Sequence, residues 1–422
     1  MARIVVTGTG AICGAGKTPG EILDAARAGR TAFAPIGQWD ASAWPVQSAA
    51  EVADFNPGAL LNDRKLFKLI RRSDAFGIFA AGQAIDAAGL ASYRDRLGPD
   101  AAARFNDSTG VYVGSGGGVF QNQYDYFPLL AAADGSLPAF GRELGATVNP
   151  MWLLRSLPNN VLCHVGIRHG LKGPNACITN HAISGVLAII EAAQALRTGE
   201  CERAVAVGHD APIEPQTVLY YHGVGLLTRD ALRPFDADRS GSAMGEGAAA
   251  LVLETESAAA ARGAAVLGEI LGSGCAAEGE GLLPIREDGD GLMRAIVLAL
   301  DDAGLRAADV GMIVAHGNGT RPGDASEARA LCEVFGAAPP PVTAFKWVFG
   351  HLLAGSGIIE TVLALAALRE RTVPGVATLR RLDPACAGLP VSPSAQSPRS
   401  DIALVLSRGF AGTNAALAVR AA

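Results

Sequence analysis

Short apolar runs alternate along the chain with longer runs in which alanine and leucine recur at helical spacing. The short runs are rich in valine and isoleucine and read RIVVTG, TGVYVGS, RAVAVG, GMIVAHG and DIALVLS. Because a strand covered on both faces is apolar throughout, these runs predict fully buried strands. Helical runs are followed by Gly89, Gly199 and Pro374-Gly375, where we expect helices to end. The alternation predicts an α/β fold.

A repeat divides the chain into two related halves. The run SGVLAIIEAAQALR begins at Ser184 and SGIIETVLALAALR begins at Ser356, and Ala-Leu-Arg closes both at one constant offset. A second similarity links RIVVTGTGAIC at the start with EILGSGCAAEG at 269–279. Two alanine-rich helices can also look alike through composition alone, and this alternative stays open. Duplication predicts halves of 1–252 and 253–422, with central helices buried between two sheets.

The composition favours a large folded core and limits the possible partners. Hydrophobic residues make up 49% and charged residues 18% of the 422 positions, and the net charge is -6. Nucleic acid is not an expected partner, because phosphate binding needs a basic surface. The N-terminal sequence has no secretion-type pattern, and no apolar run reaches about 18 residues, so we expect a cytoplasmic protein without membrane contact. The seven cysteines lack metal-ligand spacing and are expected to be reduced, with no metal bound.

An alanine stands where the surrounding sequence predicts a nucleophile. The segment GPNACITNHAISG, 173–185, runs from a turn through a strand into an apolar helix and would expose one side chain at the helix N-terminus. Unpaired amides and the helix dipole would stabilise a thiolate there. Ala182 occupies this position and cannot do covalent chemistry. Cys177 is a weak substitute, because it lies five residues earlier in the predicted strand.

Polar residues follow several of the later strands. His316 follows the strand MIVA, and Lys346 precedes His351 by five residues in FKWVFGHLLAGSG. A histidine at a strand end can point a ring nitrogen into a cleft, although a hydrogen-bonded core role is equally open. A lysine among apolar residues needs a partner, and Glu360 on the following helix is the natural candidate. Phe410, flanked by glycines in SRGFAGTN, can swing or simply form a turn.

Taken in order, these segments resemble the β-ketoacyl-acyl-carrier-protein synthases, in particular the type II ketosynthases of the thiolase superfamily. The segments that carry the resemblance are VVTGTGAIC, GLKGPNACITNHAISG, RPFDADRSGSAMGEGA, HGNGT, GHLLAGSG and GFAGTN. They span nearly the whole chain. The resemblance implies the thiolase fold, a duplicated five-layer α-β-α-β-α sandwich, and an intimate dimer. It also implies that no cofactor is bound and that the substrate arrives on the phosphopantetheine of an acyl carrier protein.

The resemblance assigns roles to four positions. In active family members a cysteine starts the buried helix, two histidines polarise the thioester carbonyl, and a lysine tunes the site. Here the cysteine is replaced by Ala182, whereas His316, His351 and Lys346 match the other three residues. The register is fixed from both sides, by Gly173-Pro174 and by Ser184-Gly185.

Other positions that the family uses for substrate depart from its pattern. Of two threonines that contact pantetheine, the first is Asn318 here and only Thr320 remains. The region around 278–284 also lacks the expected Thr-Ser pair. His181 is unusual before the nucleophile position and could fill the space left by the thiol. With Phe410, these residues are the candidate substrate-binding set.

Two further segments are candidate contacts with other proteins. The segment DRKLFKLIRRSD matches the place where family members dock their acidic carrier protein, and its cations lie on a predicted helix: Arg64, Lys65, Lys68, Arg71 and Arg72. A solvated helix face is the alternative. Residues 127–140 are expected to approach the dimer interface, where family members set the length of the acyl tunnel.

The leading hypothesis is a chain-length-factor-like subunit. Such a subunit pairs with a cysteine-bearing ketosynthase, shapes the acyl tunnel and does not condense acyl units alone, in a type II polyketide, aryl-polyene or fatty-acid-like pathway. The first alternative is a malonyl-carrier-protein decarboxylase that uses the two histidines and the lysine, or a ketosynthase whose cysteine has been replaced. A purely structural scaffold is the third possibility. The partner would be that ketosynthase in a heterodimer, or a second copy of the chain.

Overall fold

The computed structural model describes residues 2–117 and 126–422. The strands are β1 (Ile4–Cys13), β2 (Ala34–Pro35), β3 (Ser48–Ala49), β4 (Thr109–Ser115), β5 (Asn175–Ile178), β6 (Arg203–Asp210), β7 (Gly247–Thr255), β8 (Gly268–Ala277), β9 (Met312–Val314), β10 (Val342–Thr343), β11 (Ile402–Gly409) and β12 (Thr413–Ala421). The five apolar runs quoted above all fall on strands, which confirms that part of the sequence prediction.

Helices account for a large part of the remaining described residues. They are α1 (Pro19–Arg27), α2 (Pro57–Leu61), α3 (Arg72–Ala87), α4 (Leu90–Arg94), α5 (Pro99–Asp107), α6 (Phe127–Ala132), α7 (Leu137–Thr147), α8 (Trp152–Ser156), α9 (Asn160–His169), α10 (Ser184–Arg197), α11 (Pro215–Gly223), α12 (Glu256–Ala261), α13 (Asp290–Ala303), α14 (Arg321–Phe335), α15 (Lys346–Phe349) and α16 (Ser356–Arg369). Short 3₁₀ helices lie at Leu66–Lys68, His181–Ile183, Ala307–Asp309, Leu353–Gly355 and Pro384–Cys386.

The strand order repeats in the two halves of the chain. Ten strands are hydrogen-bonded in the order β10-β9-β11-β12-β8-β1-β7-β6-β4-β5, while β2 and β3 pair separately. Each half contributes five strands to this sheet: β1 and β4 to β7 from the first half, and β8 to β12 from the second. When these five are numbered in chain order, both halves run outward from the β1–β8 junction in the order first, fifth, fourth, second, third. This match supports duplication rather than chance similarity of composition. The predicted boundary between residues 252 and 253 falls near the end of β7, which continues to Thr255, and the division into these two halves stays a prediction.

Helices α10 and α16 are the central layer of the molecule. They coincide with the two repeated sequence runs, and α10 packs on β4 and β6 while α16 packs on β11, β12 and β7. Helices α3 and α9 cover the outer face of the first half, and α13 and α14 cover that of the second. The result is the five-layer α-β-α-β-α arrangement that was expected.

Glycines in the repeated Ser-Gly pairs allow the central helices to pack closely. A Cβ added to Gly185 would lie 2.5 Å from the carbonyl oxygen of Ala354, and one added to Gly357 would lie 2.3 Å from Oγ of Ser407. Real Cβ atoms do not approach so closely, so a larger residue at either position would push a central helix away from its neighbours. The close contact also fixes the turns that precede both helices.

Candidate functional site

A strained turn presents residue 182 at the N-terminal end of α10. Strand β5 ends at Ile178, and the 3₁₀ turn His181–Ile183 leads directly into the helix. His181 has a φ of +48°, and Leu353, at the same place in the second half, has a φ of +44°. Left-handed conformations are rare for residues with a side chain and often occur at functional sites. The buried methyl group of Ala182 has no atom that could attack a thioester.

Cys177 does not replace the missing nucleophile in this geometry. It lies within β5, as predicted, and its Sγ donates a hydrogen bond to the carbonyl oxygen of Pro158 at 3.3 Å. Burial raises the pKa of this thiol to about 11. Only a thiolate is an effective nucleophile, so Cys177 is poorly suited to accept an acyl group.

His316 and His351 lie side by side with matching hydrogen bonds. Their ring centroids are 5.2 Å apart with the planes at 72°. Nδ1 of His316 accepts from the amide of Arg408 at 3.3 Å, and Nδ1 of His351 accepts from the amide of Leu353 at 3.1 Å. In a neutral imidazole one nitrogen donates and the other accepts, so each ring carries its proton on Nε2.

The two rings are neutral at physiological pH. Burial, and next the positive charge of Lys346, hold the pKa of both histidines well below the ordinary value. Both residues line one cavity, where Nε2 is the ring nitrogen not bonded to backbone. The arrangement therefore offers two neutral N–H donors to a bound oxygen atom.

Lys346 is buried and forms an ion pair. Its Nζ donates to Oε1 of Glu360 and to the carbonyl oxygen of His316, both at 2.7 Å. The predicted Lys346–Glu360 pair is thereby confirmed. Burial raises the pKa of Glu360 to about 7 even with the lysine beside it. A second acid, Glu327, accepts from the amides of His316 and Gly317 and fixes the histidine loop.

Three nearly parallel rings lie over the cavity. His181 stacks on Phe410 with centroids 4.5 Å apart, and Tyr221 of α11 stacks on Phe410 at 5.5 Å. Nε2 of His181 is hydrogen-bonded to the hydroxyl of Tyr221. The structure thus brings His181 and Phe410, both candidate substrate-binding residues, into direct contact beside Ala182.

Asn318 and Thr320 also line the cavity, but their polar atoms are engaged with one another. The Thr320 hydroxyl donates to Oδ1 of Asn318 at 2.8 Å and accepts from the amide of Gly323 at 3.2 Å. The second bond caps the N-terminus of α14. A role in holding pantetheine, implied by the family resemblance, stays a prediction for both residues.

Arg408 and Glu278 form a charged wall of the cavity that sequence reasoning missed. Arg408 donates to Oε1 of Glu278 at 2.9 Å and to Oδ1 of Asn414 at 3.0 Å. An arginine directly before the Gly-Phe turn, in an otherwise apolar strand, was the available signal. Tyr221 was also missed, and its position in an ordinary helical run gave no signal. The wall makes this side of the cavity polar.

The predicted carrier-docking helix is wrong in its second half. Residues 64–72 do not form one helix, because the 3₁₀ turn Leu66–Lys68 precedes a break and α3 begins at Arg72. Arg71 is buried beside Asp74, and Nε of Arg72 donates to Oε2 of buried Glu246 at 2.8 Å. Both arginines are engaged in ion pairs within the fold, and Arg71 is too buried to contact a carrier protein. The exposed cations of the segment are Arg64, Lys65 and Lys68, and their docking role stays a prediction.

An exposed apolar surface adjoins the free edge of the sheet. Strand β5 is the last strand in the order, and its residues are exposed or half-buried. Large apolar side chains on the helices between β4 and β5 are exposed to solvent: Leu130, Leu137, Trp152, Leu153, Leu154 and Ile167. The segment 127–140, expected near an interface, contributes Leu130 and Leu137 to this set.

Two further properties concern the described residues alone. In 2–117 and 126–422, no group of three His, Cys, Asp or Glu side chains is arranged to hold a metal ion. None of the helices in the same ranges is long and apolar enough to cross a lipid bilayer.

The architecture and the paired-histidine cavity define a ketosynthase-type protein of the thiolase fold. The family model for the beta-ketoacyl synthase N-terminal domain matches residues 1–259, and that for the C-terminal domain matches 267–380. The chain belongs to the beta-ketoacyl synthase family.

Relatives and solved structures agree over the full length of the chain. The chain is 31% identical to 3-oxoacyl-[acyl-carrier-protein] synthase 2 of Coxiella burnetii, over 98% of this chain and 97% of that protein. It is 33% identical to nodulation protein E of a Rhizobium species, over 99% of both chains. The ishigamide ketosynthase/chain length factor superposes with a TM-score of 0.87 at 30% identity, covering 100% of this chain and 99% of the other. A beta-ketoacyl synthase from Burkholderia phymatum gives 0.86 at 26% identity, covering 100% of both.

Proposed function

We propose that this chain is a chain-length-factor-like subunit of a type II ketosynthase. It pairs with a cysteine-bearing ketosynthase, shapes the tunnel for the growing acyl chain, and does not condense acyl units alone. The observation that carries the proposal is Ala182 at the end of a fully formed nucleophile turn. Condensation needs a side chain that accepts the acyl group before the second substrate attacks it, and a methyl group cannot do so.

The partner is proposed to bind at the free edge of β5. An unpaired strand edge offers backbone donors and acceptors to a second sheet. The neighbouring exposed side chains, which include Ile167 and Leu137, supply the apolar contact area that a stable dimer needs. The similarity to a protein described as a ketosynthase/chain length factor supports a ketosynthase as the partner.

Co-expression with a cysteine-bearing ketosynthase from the same organism tests the proposal. We expect a stable heterodimer in size-exclusion chromatography. Ile167→Asp on α9 should break it, because a charge would be buried at the interface. The matched control is Leu298→Asp, an exposed leucine on the outer helix α13, which should leave the complex intact. A stable homodimer of this chain that forms no complex with the co-expressed ketosynthase would contradict the proposal.

A second function is favoured by the paired histidines, which a silent subunit does not need. We propose that the site also decarboxylates a malonyl thioester presented on the phosphopantetheine of an acyl carrier protein. The bond between C2 and the carboxylate breaks, CO₂ leaves, and the electron pair forms an enolate. Nε2–H of His316 and of His351 would stabilise the enolate oxygen, and each such donor contributes on the order of 10²-fold in rate.

Release of CO₂ from malonyl-carrier protein tests this second function. The wild-type chain should release CO₂ without elongating an acyl chain, and His316→Ala should slow the release about 100-fold. Circular dichroism and thermal unfolding of the variant show whether the fold is kept. Equal rates for folded wild-type and variant protein would exclude the proposed role of the histidine.

A further inference from the structure

The imidazole of His181 has one hydrogen-bonded nitrogen and one without a partner. Nε2 contacts the hydroxyl of Tyr221, whereas Nδ1 is buried and has no hydrogen-bond partner among the described residues. Buried polar atoms in folded proteins are nearly always paired, so an orphan in a cavity points to a group that the free protein does not supply. Such a group would be a substrate atom.

The orphan nitrogen lies beside the place where the acyl acceptor is missing. A Cβ built on Gly409 would lie 3.7 Å from Nδ1 of His181 and 3.5 Å from the backbone nitrogen of Ala182. His181 lines the same cavity as His316 and His351. A thioester whose oxygen contacts those two histidines therefore has its neighbouring carbon near His181.

We propose that His181 gives the proton that converts the enolate into an acetyl thioester, with Tyr221 as the relay behind it. This inference rests on the decarboxylation proposed above. After CO₂ has left, C2 of the enolate takes the proton from Nδ1 of His181. In the same step Nε2 takes the hydroxyl proton of Tyr221, so that the His181 ring stays neutral, and water then returns a proton to the phenolate oxygen. The sum is malonyl thioester plus one proton giving acetyl thioester plus CO₂.

The environment of both side chains fixes their resting protonation, with the proton of the His181 ring on Nδ1 because Nε2 accepts from the hydroxyl of Tyr221. Burial lowers the pKa of His181 to about 4, so the ring is neutral and one nitrogen carries a proton. Burial also raises the pKa of Tyr221, so its hydroxyl stays protonated and can donate to Nε2. The stacked ring of Phe410 shields Nδ1 from bulk water, which makes a side chain rather than solvent the proton donor.

The experiment compares two reactions of the same enolate. Malonyl-carrier protein is incubated with the full chain in ¹³C-bicarbonate, and both acetyl-carrier protein and ¹³C in the remaining malonyl group are measured. His181→Phe keeps a stacked ring without nitrogens, and Tyr221→Phe removes only the hydroxyl. Tyr220→Phe is the matched control, because Tyr220 is exposed and lies outside the cavity.

We expect His181→Phe to slow acetyl formation about 100-fold, in the usual range for general acid catalysis. The ratio of ¹³C incorporation to acetyl formation should rise at least tenfold. When protonation of the enolate is slower, a larger fraction of the enolate adds CO₂ again. Tyr221→Phe should shift the ratio in the same direction, and Tyr220→Phe should not. A merely structural role would slow both reactions together, and an unchanged ratio therefore overturns the proposal.

The failure of this proposal is distinguishable from failure of the decarboxylation itself. A wild-type chain that forms neither acetyl-carrier protein nor ¹³C-malonyl groups overturns decarboxylation, and the role of His181 with it. A wild-type chain that decarboxylates while His181→Phe matches it in rate and ratio overturns the role of His181 alone.

Discussion

At the scale of single residues, Ala182 and Ala354 occupy equivalent turns with different surroundings. Each follows a residue with positive φ and precedes a Ser-Gly helix start in its own half. Only Ala182 adjoins the ring stack and the turn at Gly409. Comparing substitutions at positions 182 and 354 therefore separates the effect of the backbone conformation, which the two positions share, from that of the surrounding side chains, which differ.

Restoring a thiol at position 182 should restore acyl loading. In Ala182→Cys the thiol lies at a helix N-terminus, where its pKa falls and the thiolate can attack. We expect an acyl adduct after incubation with acyl-carrier protein, measured as an increase in intact mass. Ala354→Cys is the control and should gain no adduct. A folded Ala182→Cys protein without adduct would show that more than the nucleophile has been lost.

At the scale of elements, the contact between α3, α9 and β6 encloses a buried histidine. His209 lies where a Cβ on Gly77 would be 3.2 Å from its ring, and its ring is close to the backbone of Ser73. Burial lowers the pKa of His209 to about 4, although nearby Asp74 acts in the opposite direction. The neutral ring is thus compatible with close helix packing.

This histidine should make stability depend on pH. In the unfolded chain His209 becomes protonated below about pH 6.5, whereas in the folded protein it stays neutral down to about pH 4. The contribution of His209 is therefore lost as pH falls through this window, by about 1.4 kcal/mol per pH unit. Urea unfolding should show wild type losing stability relative to His209→Gln between pH 6.5 and 4. Above pH 7 the difference should be constant, and a constant difference at all pH values would contradict the prediction.

At the scale of the whole molecule, the net charge and the local charge around residues 65–68 differ in sign. The chain carries a net charge of -6, yet Lys65 and Lys68 are exposed together beside the 3₁₀ turn that precedes α3. A local basic surface can attract an acidic partner even on an acidic protein.

Reversing two of these charges should weaken carrier-protein binding. The double variant Lys65→Glu and Lys68→Glu should lower the affinity about tenfold at low salt, since each surface pair contributes up to about 1 kcal/mol. High salt should reduce the difference. The control is Arg294→Glu with Arg306→Glu, which makes the same charge change on exposed residues of the second half. Equal weakening by both double variants would mean that only net charge matters.

The sequence predicted features that depend on neighbours close along the chain. Both central helices and the ends of the strands follow from local patterns. The Lys346–Glu360 pair does so as well, because a buried lysine needs an acid and Glu360 lies on the next helix along the chain. The ion pair of Arg72 depends on Glu246, 174 positions away, and could not be predicted from neighbouring residues. The same holds for Tyr221, which reaches His181 from another helix. Ring stacking across separate loops leaves no periodic signal.

The turn at Leu353, which repeats the turn at His181, shows whether this backbone conformation depends on a nucleophile. This turn keeps a φ of +44° although its half carries no acceptor position for acyl groups. The twisted backbone therefore belongs to the architecture and does not depend on catalysis. One codon change at position 182 can therefore remove the covalent step while the backbone of the turn is kept.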